Sequence, residues 1–229
     1  MKKKSIINKN KFIPVSKPYL SSNDIKYVNK TLKEGWISSD GPEVTKFEES
    51  FATYCGTSYS AGLGNGSDAL YLAMKALDIG VGDEVITAPN SFIASAWTIA
   101  NTGAEVRFAD AGWDMNIDPV KIEAAITSKT KAIMPVHLTG KIADMDAILE
   151  IAQKHNLFII EDAAQAVGAT QNGKRAGSFG DAAGFSLHPL KNLHVHGDGG
   201  VMTTSNEKII NSVRQWRNHG LKNRDECLF

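Results

Sequence analysis

Asp162 and Lys191 are the two residues whose type and setting carry the most chemistry. Asp162 closes the run Phe158-Ile-Ile-Glu161, so a carboxylate stands at the mouth of an apolar strand, where burial is costly unless a cation meets it. Lys191 follows Phe185-Ser-Leu-His-Pro-Leu, just past a second strand-like run, and is bounded downstream by Gly197, Gly199 and Gly200. Desolvation there favours the neutral amine, the form that Schiff-base chemistry requires. On spacing alone the ordinary reading is a surface lysine beside a capping aspartate. The turn Gly62-Leu-Gly64-Asn-Gly66-Ser67-Asp68 precedes an amphipathic helix. Its backbone N–H groups and the positive helix end suit a phosphate, or simply a tight turn.

Three other patterns are weaker. Gly64-x-Gly66-x-x-Ala69 spells a dinucleotide fingerprint, the basis of an alternative NAD(P)-binding oxidoreductase. That function needs an acid at the end of the next strand, but Glu84 begins that strand while Ala88, Pro89 and Asn90 end it. Gly168 to Arg175 has the glycine and lysine spacing of a nucleotide-triphosphate loop but puts Arg175 where the magnesium-binding hydroxyl belongs, and no helix follows. His194 and His196, with His188 as a third candidate, lack a carboxylate partner, and no metal is expected.

The elements that must position these residues alternate. Ser22 caps a helix to Lys33 with Ile25, Val28 and Leu32 on one face and Gly35 as its stop. Leu70, Ala73, Met74 and Leu77 mark a second helix, and Glu84 to Ala88 a buried strand. Helical stretches at Ser91–Asn101 and Pro119–Ile126 then precede strands at Glu105–Ala109 and Lys131–Val136. Asp144 caps a helix through Met145, Ile148, Leu149 and Ala152, followed by the strand Leu157–Glu161. Strand-like runs at Ala182–Leu187 and Gly200–Thr204 come next, and Ser205 opens a last helix. Short apolar strands joined through helices describe βαβ crossovers, hence an α/β fold with a mostly parallel sheet sandwiched by helices.

Composition narrows the function classes. The chain has 229 residues, 42% hydrophobic and 22% charged, the balance of a globular domain. Lys+Arg and Asp+Glu are equal at 25 each, so the bulk attraction to phosphate backbones that marks nucleic-acid binders is lacking. No apolar run approaches the ~20 residues of a membrane span, and none follows the basic cluster Lys2 to Lys4 as a signal peptide requires. A cytoplasmic protein without a membrane partner is expected. Cys55 and Cys227 stand far apart, so no disulfide framework is expected.

In open α/β sheets ligands bind at the carboxyl ends of strands. The residues there are Asn90, Ser91 and Phe92; Asp110; His137; Asp162 and Gln165; and Ser186, His188 and Lys191. With these in view the sequence resembles the DegT/StrS-type, pyridoxal-phosphate-dependent nucleotide-sugar aminotransferases, of aspartate-aminotransferase-like fold type I. An ordered series of motifs carries the resemblance. It runs Glu34-Gly-Trp-Ile-Ser38 with Gly41-Pro42 and Phe47-Glu48, Asn65-Gly-Ser-Asp-Ala-Leu70, Asp83-Glu-Val-Ile-Thr87 with Ser91-Phe-Ile-Ala94, Glu161-Asp-Ala-Ala-Gln-Ala166, and Phe185 to Leu193.

The resemblance implies that Lys191 is the Schiff-base lysine and the proton shuttle, and that Asp162 pairs with the pyridine nitrogen. It further implies that Gln165 bonds the ring hydroxyl, Phe92 stacks on the ring, and Gly66, Ser67, Asp68 and Ser186 hold the phosphate. The implied reaction moves an amino group from an amino-acid donor such as glutamate to a keto carbon of a nucleotide-linked sugar, in a homodimer. Lys191 argues against the dehydratase branch, which carries histidine there. Residues 1–229 read as the cofactor-binding large domain, with 1–12 a flexible N-terminal segment. Family members usually continue well past the position of Phe229 into a small domain. Its lack here leaves a second expectation, a catalytically incompetent truncated member or regulatory module.

Overall fold

Burial on both faces of a strand demands apolar residues at consecutive positions, and the central strands meet that demand. A computed structural model describes residues 14, 16–37, 41–221 and 226–227. In chain order the elements are α1 (Ser22–Lys33), α2 (Pro42–Cys55), β1 (Tyr59–Leu63), α3 (Gly66–Ala76), β2 (Glu84–Thr87) and α4 (Ala94–Thr102). Next come β3 (Glu105–Phe108), α5 (Pro119–Ala125), β4 (Thr130–Met134), a 3-10 turn at Leu138–Gly140, α6 (Met145–His155) and β5 (Phe158–Asp162). The two-residue strands β6 (Thr170–Gln171) and β7 (Lys174–Arg175), then β8 (Ala182–Ser186), β9 (Gly200–Thr204) and α7 (Glu207–Trp216), complete the series.

A 7-stranded sheet runs β1-β9-β8-β5-β4-β2-β3. The pairs β3/β2, β2/β4, β4/β5 and β5/β8 are parallel, and only β9 runs against the rest. Successive residues of a strand face opposite sides, and the core divides accordingly. Val85, Ala132 and Ile160 pack with Leu70, Met74, Ile99 and Ile210 of α3, α4 and α7. Their neighbours Ile86, Ile133 and Ile159 pack with Ile122, Met145 and Ile148 of α5 and α6. Under β8 and β9, Phe185 and Val201 meet Phe51 and Cys55 of α2, with the Phe51 and Phe185 rings edge-on at 5.0 Å. Helices therefore cover both faces, as the sequence led us to expect.

Local details differ from expectation at four places. Ser21, not Ser22, is the N-cap of α1, closing a capping box with Asp24. Ile25 and Leu32 of that helix are 51% and 57% exposed, because no other described element covers the face. The sequence analysis assigned neither α2 nor β1. The buried positions of α2 are Glu48, Phe51, Ala52 and Cys55, and a charged residue in that series hides the helical period. Asn206, not Ser205, caps α7, accepting the N–H groups of Lys208 and Ile209. The Gly168–Arg175 segment folds back through Asn172 and Gly173, both at positive φ, as the β6–β7 hairpin. The expectation for residues 1–12 lies outside the described residues.

Two buried carboxylates tie the layers together. Glu48 accepts the Gly62 N–H at 2.8 Å and pairs with Arg217 and Arg214, joining α2, β1 and the end of α7. Glu161, wholly buried in β5, accepts N–H groups from Gly177 (2.7 Å), Phe179 (2.8 Å) and Gly180 (2.9 Å), and faces His137 Nε2 at 3.0 Å. His137 Nδ1 accepts the Ala143 N–H, so Nε2 carries the proton and donates to Glu161. Removing such a hub strands four donors. Glu161→Ala is expected to cost about 3–5 kcal/mol, read from urea unfolding midpoints, with Glu161→Gln losing less because it keeps an acceptor in place.

Candidate active site

The carboxyl ends of the parallel strands and the N-terminus of α3 open at one edge of the sheet. β5 ends on Asp162, whose side chain leaves the strand on the face opposite to that of Glu161. Ser95 Oγ donates to Asp162 Oδ2 at 2.6 Å, and the Ala164 N–H reaches Oδ1 at 3.2 Å. No described cation pairs directly with Asp162. Burial raises its carboxyl above the ordinary range, opposed by the hydrogen bonds from Ser95 and Ala164 and then by the charge of Lys191. Asp162 and the turn after β8 that carries Lys191 open onto the space at the same end of the sheet.

Lys191 reaches that space because β8 lies beside β5, with Gly184 opposite Asp162. Past Ser186 the chain turns, the Lys191 N–H donating to His188 O at 2.8 Å and the Asn192 side chain to Val167 O at 2.8 Å. Lys191 is half-buried, and its Nζ bonds no other described residue. Gln165 lies beyond β5, half-buried, and its Oε1 accepts the Thr139 N–H at 2.7 Å. With the carbonyl end so used, only the Nε2 donors are left to offer.

The predicted phosphate turn is built by close packing. Asn65 caps α3 by accepting the Asp68 N–H at 2.8 Å, and its amide donates to the Asp68 carboxylate at 2.9 Å. The backbone N–H of Asp68 is therefore engaged, whereas those of Gly66 and Ser67 have no partner among the described residues. A Cβ on Gly66 would sit 2.8 Å from Ser186 Cβ, and one on Gly200 only 2.1 Å from Asn65 O. Both glycines let α3 lie directly on β8 and β9, which brings the Ser186 hydroxyl to the helix N-terminus. Ser186 Oγ accepts the His188 N–H at 3.4 Å and keeps its own hydrogen to donate.

Phe92 stands before α4 with 71% of its surface exposed, an aromatic ring that no described residue covers. The remaining strand-end residues have structural partners. His137 belongs to Glu161, and Asn90 Nδ2 donates to Met115 O at 3.2 Å. His188 Nδ1 accepts the Leu190 N–H at 3.2 Å. Asp24 of α1 is held below the ordinary carboxylate range by its hydrogen bonds with Ser21. Among the described residues no group of three His, Cys, Asp or Glu side chains could hold a metal. Sequence reasoning missed Ser95, because one serine inside a helix carries no spacing signal. A cavity of about 1300 Å³ opens next to the site between α2, α3 and α7, lined by Gly64, Asp68, Tyr71, Leu187, Arg214 and Trp216.

The residues present fit pyridoxal phosphate: a buried carboxylate for a protonated ring nitrogen, an amine without a partner, and spare donors at a helix N-terminus.

Comparison with known proteins agrees with this geometry. Residues 18–228 match the model of the DegT/DnrJ/EryC1/StrS aminotransferase family. The spore coat polysaccharide biosynthesis protein SpsC of Bacillus subtilis is 46% identical over 214 residues, covering 93% of this chain and 54% of SpsC. The dTDP-3-amino-3,6-dideoxy-alpha-D-galactopyranose transaminase of Aneurinibacillus thermoaerophilus is 50% identical over 203 residues, covering 88% of this chain and 56% of its own. The PLP form of a sugar aminotransferase from Streptococcus pneumoniae, Spr1654, superposes with a TM-score of 0.86 at 31% identity, over 91% of this chain and 58% of that one. The chain thus spans about half the length of the curated relatives it matches. By sequence and by fold, the chain belongs to the DegT/DnrJ/EryC1/StrS aminotransferase family.

Proposed function

We propose that residues 1–229 form the cofactor-binding large domain of a pyridoxal-phosphate-dependent aminotransferase. It moves an amino group from an amino acid such as glutamate to a keto carbon of a nucleotide-linked sugar. The observation that carries the reading is that Asp162, buried with no described cation paired to it, ends β5 directly beside β8, whose following turn carries Lys191, itself bonded to no described residue. The 50% identity to the dTDP-sugar transaminase of Aneurinibacillus thermoaerophilus supports the substrate class.

When bound, the cofactor supplies an electron sink for the carbanion that forms at the substrate carbon. Asp162 would hold a proton on the ring nitrogen, the Ser95 hydroxyl and the Ala164 N–H fixing its carboxylate. Gln165 donates from Nε2 to the ring hydroxyl, since Thr139 already takes its carbonyl. Gly66 and Ser67 give backbone N–H groups, and Ser186 its hydroxyl, to the phosphate, while Asp68 fixes the turn through Asn65. Phe92 covers one face of the ring, which accounts for an aromatic side chain left 71% exposed by the protein itself. Lys191 would hold the cofactor carbonyl through Nζ, and its amine would carry the proton between the two carbons of the exchange. The reading places the reaction in the cytoplasm and in a homodimer. The apolar face of α1, with Ile25 and Leu32 more than half exposed, supports a covering partner.

Borohydride reduction of the 229-residue chain with pyridoxal phosphate, followed by peptide mapping, is expected to label Lys191, and Lys191→Ala to abolish the label. A folded sample with Lys191 unlabelled overturns the reading. A second expectation concerns the cofactor-free chain. A carboxyl raised by burial binds its proton more tightly folded than unfolded, so stability falls as pH climbs from about 4 through the folded-state value. Asp162→Asn removes that loss. Urea midpoints collected from about pH 4 to 8 should show a flatter profile and a more stable variant at neutral pH; the reverse order there contradicts burial as the dominant influence.

A further inference from the structure

Ser95 joins two of the groups that flank the proposed ring. It lies buried in the first turn of α4. Its Oγ is 2.6 Å from Asp162 Oδ2 and 2.8 Å from Ser91 Oγ. With Asp162 as a carboxylate, which offers no proton, the single hydroxyl hydrogen of Ser95 goes to Asp162 at 2.6 Å rather than to Phe92 O at 3.4 Å, and Ser91 must donate to Ser95. The distances then describe a directed relay from Ser91 through Ser95 to Asp162. The backbone N–H of Ser95 donates to Phe92 O at 3.2 Å. One residue therefore touches both the acid meant for the ring nitrogen and the backbone of the aromatic residue meant for the ring face.

We infer that Ser95 is a positioning residue of the cofactor site, its hydroxyl aiming the Asp162 carboxylate at the ring nitrogen while its backbone N–H fixes the approach of Phe92. The inference rests on the proposed function and deepens it. A neutral hydroxyl suits the task better than a cation. A lysine or arginine against Asp162 would cancel the charge that must hold the ring proton, whereas a short hydroxyl bond steadies the carboxylate and leaves its charge in place. It also fills one lone-pair direction of Oδ2, which restricts rotation of the carboxylate. Ser91, half-buried at the outer end, polarises the Ser95 hydroxyl by donating to it.

Ser95→Ala removes the hydroxyl, with its bond to Asp162 and its longer 3.4 Å approach to Phe92 O, but keeps the N–H bonded to Phe92. The probe is pyridoxal phosphate isotope-labelled at the ring nitrogen, bound to the 229-residue chain and followed by NMR. Wild type should give the signal of a protonated ring nitrogen. In Ser95→Ala the signal should move toward the unprotonated position at neutral pH, with cofactor binding weakened about 10- to 100-fold. Ser95→Thr, which retains the hydroxyl, should restore both, and Ser91→Ala should shift the signal less in the same direction. If Ser95→Ala lowers only the unfolding midpoint and leaves the nitrogen signal unchanged, the hydroxyl is purely structural and the inference falls while the proposed function stands. If Ser95→Ala does not fold, an unchanged nitrogen signal in Ser91→Ala overturns the relay. A wild-type chain that binds no cofactor overturns the proposed function and this inference with it.

Discussion

Two adjacent carboxylates at the end of one central strand set the terms for the rest of the molecule. Glu161 and Asp162 are neighbours in β5, and a strand sends neighbours to opposite faces. Glu161 goes to the side where the 177–180 segment and His137 supply four donors, and it becomes a closed structural hub. Asp162 goes to the side of α4, where a serine hydroxyl and a backbone N–H meet it but no cation is joined to it. The first carboxylate is spent on the fold. The second is left without a paired cation among the described residues.

The same division runs through the other polar groups. No buried side-chain nitrogen or oxygen among the described residues lacks a hydrogen-bond partner. Spare capacity is instead concentrated at the sheet edge: the Lys191 amine, the Nε2 end of Gln165, the Ser186 hydroxyl and the first N–H groups of α3. Lys191, Gln165, Ser186 and Ser67 are half-exposed there, so water can serve their donors until a ligand replaces it. Their convergence on one edge depends on β5 and β8 being parallel neighbours and on β1, at the far side of β9, delivering α3 to the same end. Glycine at 66 and 200 then allows the helix to rest on the strands without intervening side chains.

Much of this was legible in the chain itself. The alternation of apolar runs with helical periods gave the α/β class and the parallel strands, since buried strands must be apolar at consecutive positions. Asp162, Lys191, Gln165 and the Gly66 turn could be named because they follow such runs, where strand ends must lie. Helix α2 escaped because Glu48 occupies one of its inward positions. That charge is tolerable only because Arg217, Arg214 and the Gly62 N–H, all distant in sequence, converge on it.

Order along the chain thus determined the kinds of elements and the residues at their ends, through short-range periodicity and turn chemistry. Only the tertiary structure decided which of those ends became neighbours. It committed His137 to Glu161 and left Lys191 without a partner among the described residues, and it brought Ser95, unremarkable in its own helix, to within 2.6 Å of a carboxylate of β5. Such pairings span 24 and 67 residues. No local pattern encodes them, because they exist only once strand order and register have fixed which side chains share a face.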